Sequence, residues 1–198
     1  MVNFIKKIYL ILSSIRLLPH WLLFEFHGQK EVIRYDIQRW LTIYEFEMSS
    51  RKGFFYLMSW YPEFRNLFYI RVGPYSAIIR FLCPRLKSLL IVTKEIGPGL
   101  FIQHGVAALV GAKSIGKDCW INQQITIGYL SKEGVPVLED NVRICAGAKV
   151  LGGITIGKNS IVGANAVVMK NVPPNCTVVG VPAYIVRRDG QKVLEQLI

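Results

Sequence analysis

One histidine stands where it could do chemistry. His104 lies in Gly99-Leu-Phe-Ile-Gln-His-Gly-Val-Ala-Ala-Leu-Val, beside Gly105, and the other two histidines, His20 and His27, lie far upstream. An imidazole held outward at a turn takes up a proton near neutral pH, so His104 is the candidate general base. The cysteines offer less. Cys83, Cys119, Cys145 and Cys176 are widely separated with no CxxC pair, and they read as free, buried thiols of a reducing compartment. With three histidines and no clustered ligand spacing, no metal site is expected.

The element that must position His104 is a six-residue period. From Ile96 to about Pro173 an aliphatic residue opens each hexad, as at Ile102, Ile115, Ile121, Ile127, Ile144, Val150, Ile156, Val162 and Val168. A small or medium residue follows four places later, with Gly, Asn, Asp and Lys between, as in Ile115-Gly-Lys-Asp-Cys and Ile156-Gly-Lys-Asn-Ser. Neither a helix, with its period of 3.6, nor a simple strand, with its period of two, repeats this way. Short parallel strands joined by tight corners do, because Gly and Asn adopt the corner dihedrals with little strain. The period slips by one residue near Ser114. It breaks from Gly128 to Val137, which reads as a loop extruded from the coil, the kind of place where binding groups sit.

The remainder is helical in pattern. Glu31–Met48 and Phe54–Ile70 are candidate helices, the second broken or kinked at Pro62, and Ser76–Leu90 holds further apolar residues around Pro84. Residues 1–28 are too interrupted by Arg16, Pro19 and His20 to span a bilayer. They read equally as a helix packed on its own domain or as an in-plane membrane helix inserting Trp21 and Phe24. The expected organisation is an N-terminal α-helical region over residues 1–94, a β-helix over 95–188 and a C-terminal tail over 189–198. Apolar residues make up 52% of the 198, enough for a substantial core. The net charge of +11 is concentrated upstream: Lys and Arg outnumber Asp and Glu by 14 to 7 in residues 1–95 and by 10 to 6 beyond. No zinc-finger, helix-turn-helix or RNP pattern accompanies that charge, so a phosphate-rich cofactor or a lipid surface explains it better than nucleic acid.

Four segments carry a family resemblance: Gln103-His-Gly-Val-Ala-Ala-Leu-Val; Ile125-Thr-Ile-Gly; Cys145-Ala-Gly-Ala-Lys-Val-Leu-Gly; and Val162-Gly-Ala-Asn-Ala-Val-Val through Val172-Pro-Pro to Val179-Gly-Val-Pro-Ala. The stretch 96–188 resembles the left-handed β-helix acyltransferases, specifically the serine acetyltransferase branch. The N-terminal segments Arg34-Tyr-Asp-Ile and Glu63-Phe-Arg-Asn-Leu-Phe-Tyr-Ile-Arg look more like acetyltransferases of surface-polysaccharide gene clusters. The resemblance implies a mainly β fold, a left-handed parallel β-helix with an N-terminal α-helical region, assembled as a homotrimer with acetyl-CoA between neighbouring prisms. It implies that His104 takes the proton of an acceptor hydroxyl, which is a weak nucleophile unaided. Gly128, Ala146, Gly147, Gly163 and Ala164 would admit the pantetheine arm. Lys170, Arg187 and Arg188 would meet the cofactor phosphates.

Two departures from the serine acetyltransferase pattern shape the expected acceptor. Leu89 stands where the family has an aspartate fifteen residues before the histidine, and Val135 stands where it has the histidine of an Arg-His-Pro triplet. Glu95, a carbonyl or another subunit would then orient His104. The reading that follows is an O-acetyltransferase of a sugar hydroxyl in a surface-polysaccharide precursor. It would work in the cytoplasm or at the inner face of the cytoplasmic membrane, with residues 1–28 touching the lipid. Serine O-acetylation in cysteine biosynthesis is the alternative, and a non-catalytic trimeric scaffold the second.

Overall fold

A computed structural model describes residues 2–131 and 134–197, apart from the side chains of residues 2–13. The chain divides into two compact units, residues 1–86 and 87–198.

The first unit is helical: α1 (Val2–Phe26), α2 (Lys30–Ile43), α3 (Ser50–Trp60), α4 (Pro62–Val72) and the single turn α5 (Ser76–Ile79). Ser49 starts α3 by accepting from the Lys52 amide, and Pro62 ends the run expected over Phe54–Ile70. Proline has no amide hydrogen to give to α3, but it fits the first turn of α4, where that hydrogen would be idle. The core is aromatic. Phe24 stacks on Phe54 with centroids 5.3 Å apart, and Trp40 meets the edge of Phe64 at the same distance. Asp36 and Arg71 form an ion pair at 2.8 Å with both side chains buried.

Neither Trp21 nor Phe24 is among the exposed side chains of α1. Phe24 is buried, and Trp21 packs against Phe24, Phe54 and Phe55. Among the described side chains of α1, the exposed ones are Ile15, Leu18, Leu22 and Phe26. No helix among the described residues is long and apolar enough to cross a membrane.

The second unit is a parallel β-helix of five coils. The first coil is β1 (Leu89–Ile91), β2 (Glu95–Ile96) and β3 (Phe101–Ile102); the second is β4 (Ala108–Val110), β5 (Ser114–Ile115) and β6 (Trp120–Ile121). The third is β7 (Thr126–Gly128), β8 (Val137–Leu138) and β9 (Arg143–Ile144); the fourth is β10 (Lys149–Leu151), β11 (Thr155–Ile156) and β12 (Ile161–Val162). The fifth is β13 (Val167–Val168), a bridge from Val172 to Ile156, and β14 (Cys176–Val179). Each strand up to β10 pairs with the strand three places on, and β12 pairs with β14, so three sheets form the faces of the coil: the first from β1, β4, β7, β10 and β13; the second from β2, β5, β8 and β11; the third from β3, β6, β9, β12 and β14. β15 (Tyr184–Arg188) and β16 (Gln191–Gln196) extend the third sheet antiparallel, so the end of the stack is a hairpin. β1 begins at Leu89, within the segment Ser76–Leu90 that reads as helical, and residues 191–196 of the expected tail are strand.

Three columns of aliphatic side chains fill the interior in register: Val110, Ile127, Val150 and Val168; Ile115, Leu138, Ile156 and Val172; Ile102, Ile121, Ile144, Val162 and Val178. All are buried. Along the corner between the second and third sheets, Asp118, Asn141, Asn159 and Asn175 hold left-handed φ values between 56° and 62°. There Asn141 Nδ2 donates to Asn159 Oδ1 at 3.0 Å, and Asn159 Nδ2 donates to Asn175 Oδ1 at 2.8 Å.

His20 is fully buried in the helical unit. Tyr69 OH donates its one proton to the Cys83 carbonyl at 2.5 Å, so the 2.9 Å contact with His20 Nε2 must be an N–H donated to the phenol oxygen. The ring is therefore neutral, with Nδ1 buried and unpartnered. Burial first, then the charges of Arg16 and Arg65, push its pKa down from 6.5 to about 4. Above pH 6.5 the ring is neutral in both states and costs nothing. Below that, the unfolded chain takes a proton that the folded chain refuses until about pH 4, so stability falls across this window. Urea unfolding should show a loss of about 2–3 kcal/mol between pH 7.5 and 4.5, and a smaller loss in His20→Gln. Asp36→Ala should cost about 3–5 kcal/mol in the same assay, because it strands the buried Arg71 guanidinium.

Candidate functional site

The site is a corner of the β-helix, the one joining the third sheet to the first. Coil by coil, the left-handed corner residues are Ala107, Gln124, Gly147 and Asn165, with φ of 54°, 59°, 74° and 57°. They are stitched by the Gln124 amide to the Val106 carbonyl, the Gly147 amide to the Gln123 carbonyl and the Asn165 amide to the Ala146 carbonyl, at 2.9–3.0 Å. Gly is free at φ > 0, Asn and His are tolerated there at some strain, and Ala is strained more.

His104 adds a second strained residue to the first of these corners, with φ 55°, and its ring is exposed. Two more residues separate Ile102 from Val110 than separate Ile121 from Ile127, although both pairs bridge the same corner. The irregularity expected near Ser114 therefore lies partly here: Val110, not Ala108, stands in register with Ile127, and Ile115 follows one residue early. The longer corner bulges out and carries the imidazole with it. The turn is closed by the Val106 amide donating to the His104 carbonyl.

One coil below, a group of carboxamides underlies this corner. The Gln103 amide donates to the Ile121 carbonyl at 2.8 Å, and Asn122 Nδ2 donates to Gln103 Oε1 at 3.0 Å. Asn122 Oδ1, Gln123 Oε1 and the Trp120 indole Nε1 are buried without a hydrogen-bond partner. These carboxamides escape a reading of single hexads. The signal is the separation of nineteen between Gln103 and Asn122, one turn of the coil, visible only once coils are stacked.

The expected cofactor residues fall into three groups. Ala146, Gly147, Gly163 and Ala164 lie on the same corner column as His104, in the coils that follow it. A Cβ at Gly147 would overlap Asn165 Oδ1, and one at Gly163 would come within 2.7 Å of Val179 Cγ1. Gly128 and Lys170 lie elsewhere on the first sheet, Gly128 as the last residue of β7 and Lys170 two residues past β13. The Gly128 carbonyl accepts from the Gly152 amide. Lys170 Nζ donates to the Leu197 carbonyl and borders a cavity of about 330 Å³ with Leu130, Met169 and Ala183. Arg187 and Arg188 belong to β15, where Arg187 reaches the Gly190 carbonyl and Arg188 pairs with Glu195. That pairing holds the Glu195 carboxyl below its ordinary range.

Leu89 is buried in β1 opposite Ala108, so no carboxylate approaches from there. Glu95 sits on the second sheet, opposite Ser114, and that sheet is the face across the coil from the His104 corner. Val135 is half-buried in the loop before β8; Lys132 and Glu133 of that loop lie outside the described residues. All four cysteines are unpaired, three of them buried. Among the described residues no three His, Cys, Asp or Glu side chains converge as metal ligands would.

Comparison with known proteins bears on the acceptor. Residues 136–170 match the family model "Bacterial transferase hexapeptide (six repeats)". A serine acetyltransferase of Synechococcus elongatus is 38% identical over 165 residues, covering 76% of this chain and 67% of that protein. A Staphylococcus xylosus serine acetyltransferase is 47% identical over 103 residues, but the match spans about half of either protein, 50% of this chain and 48% of the relative. Among solved structures, Neisseria gonorrhoeae serine acetyltransferase in complex with serine superposes with a TM-score of 0.64 at 27% identity, covering 84% of this chain and 72% of that one. The Brucella abortus enzyme in complex with coenzyme A gives 0.64 at 27%, covering 87% and 72%.

These similarities overturn the expected glycan acceptor and the polysaccharide-cluster affinity of the N-terminal segments. The cyanobacterial match is longer than the β-helix unit, so it extends into the helices from which that affinity was read. The chain is an acyltransferase and belongs to the serine acetyltransferase family of hexapeptide-repeat proteins.

Proposed function

We propose that this protein transfers the acetyl group of acetyl-CoA to the hydroxyl of L-serine, giving O-acetylserine and free CoA. The observation that carries the reading is the exposed His104 at the one corner of its column that is lengthened, in a chain of this family. Relatives solved with serine and with coenzyme A support the two substrates.

In this mechanism His104 accepts the serine hydroxyl proton as the oxygen attacks the thioester carbonyl. The tetrahedral intermediate collapses with cleavage of the carbon–sulfur bond, and the imidazolium returns its proton to the departing CoA sulfur. The pantetheine arm runs down the corner column past Ala146 and Ala164, whose side chains are small, and past Gly147 and Gly163, where Asn165 and Val179 take up the space a Cβ would need. Gly128, Lys170, Arg187 and Arg188 are proposed for the remainder of the cofactor. Lys170 and Arg188 would exchange their present partners, the Leu197 carbonyl and Glu195, for phosphate oxygens.

Thiol release from acetyl-CoA, with the product identified by mass spectrometry, tests the reading directly. His104→Ala should lower kcat by about 10²–10⁴-fold. Activity within threefold of wild type would remove the general base, and failure to acetylate serine would remove the acceptor. Ala164→Trp, an exchange at an exposed position, should raise the KM for acetyl-CoA at least ~10-fold, with the melting temperature and the KM for serine unchanged.

A further inference from the structure

Two acceptor atoms at the catalytic corner have no donor. Asn122 Oδ1 and Gln123 Oε1 are both buried, on consecutive residues, one coil from His104. Buried carboxamide oxygens are nearly always hydrogen-bonded, because a lone pair removed from water without a partner costs stability. As the side chains stand, Asn122 Nδ2 donates to Gln103 Oε1, so turning the Asn122 amide alone would set two oxygens against each other.

We propose that Asn122 Oδ1 and Gln123 Oε1 receive the α-ammonium group of the amino-acid acceptor and thereby set its orientation for His104. The assignment rests on serine as the acceptor. An ammonium offers three N–H donors from one atom and can answer two neighbouring acceptors at once. Each amide of a pantetheine arm offers a single N–H. The carboxamides also sit at the His104 end of the column, where Asn122 is bonded to Gln103, the residue preceding the base, rather than beside the later coils. A neutral amide pair suits a substrate that must leave after reaction: it binds a cation through hydrogen bonds without the tight hold of a carboxylate.

The test compares wild type, Gln123→Met and Gln123→Glu, with L-serine and with 3-hydroxypropionate, which is serine without its ammonium. Gln123→Met keeps the side-chain length and removes the acceptor. It should raise the KM for serine by about 10–100-fold, the effect of losing a hydrogen bond to a charged group, and leave the KM for acetyl-CoA within about twofold. The preference of wild type for serine over 3-hydroxypropionate should shrink by the same factor. Gln123→Glu should keep or strengthen that preference. Because an orphan acceptor is being removed, the melting temperature of Gln123→Met should be equal to or above wild type. A lowered melting temperature, or failure to fold, would show a structural role and overturn the assignment. An unchanged KM for serine, or a rise confined to acetyl-CoA, would do the same. A fall in kcat alone, with both KM values held, would make Gln123 a partner of the base and also overturn it. If wild type fails to acetylate serine, the proposed function falls and the assignment with it. If wild type acetylates serine and Gln123→Met matches it, the ammonium assignment alone falls.

Discussion

Everything in the β-helix depends on one constraint: aliphatic side chains on successive coils must stand directly over one another. The column Ile102, Ile121, Ile144, Val162 and Val178 satisfies it on the third sheet, and the other two faces have columns of their own. A parallel sheet two or three residues wide has few hydrogen bonds per strand, so the interior packing must hold the coils in register. Once the register is held, what lies between the columns can vary. Corners may lengthen and loops may leave the coil, provided the chain returns in phase. The connection from β7 to β8 does this on one corner and the segment carrying His104 on another.

The corner that carries His104 follows from that tolerance. A tight corner of this fold needs one left-handed residue, which Gln124, Gly147 and Asn165 supply; the corner at His104 and Ala107 uses two. Non-glycine residues in that conformation carry strain, and strain of this kind is kept where a side chain must project in a fixed direction. His104, the proposed base, is therefore presented by a distortion of the fold rather than by its regular part. The buried, unpartnered carboxamides beneath it are a second local cost at the same place, as expected where stability is given up for binding.

The hexad period made the fold legible, because its cause, an inward aliphatic at each strand, is written in every coil. His104 was legible too, as the lone histidine of the repeat. The lengthening of its corner was not, since Ala108 keeps the count of six while Val110 takes the structural place. Nor were Asn122 and Gln123, because contact between coils appears in the sequence only at a separation of about nineteen. In the helical unit, Pro62 marked a real boundary. The segment ending at Leu90 misled because its apolar residues serve a strand whose partner, Ala108–Val110, lies well downstream. The acceptor was misread for a different reason. Leu89 and Val135 showed that two groups were missing, but a missing group does not fix the substrate when neighbouring side chains can supply its interaction. Similarity over 165 residues outweighs two positions.

The asparagines on the opposite corner give the coil a direction. Each side-chain amide passes its donor to the next coil and leaves its oxygen for the one before, so Asn141, Asn159 and Asn175 form a polarised chain parallel to the coil axis. Amides aligned in this way strengthen one another. Asn159, the middle member, takes part in both bonds, whereas Asn141 and Asn175 each take part in one. The corner is thus tied together as a single strip along three coils, and its rigidity resides more in that strip than in any one turn.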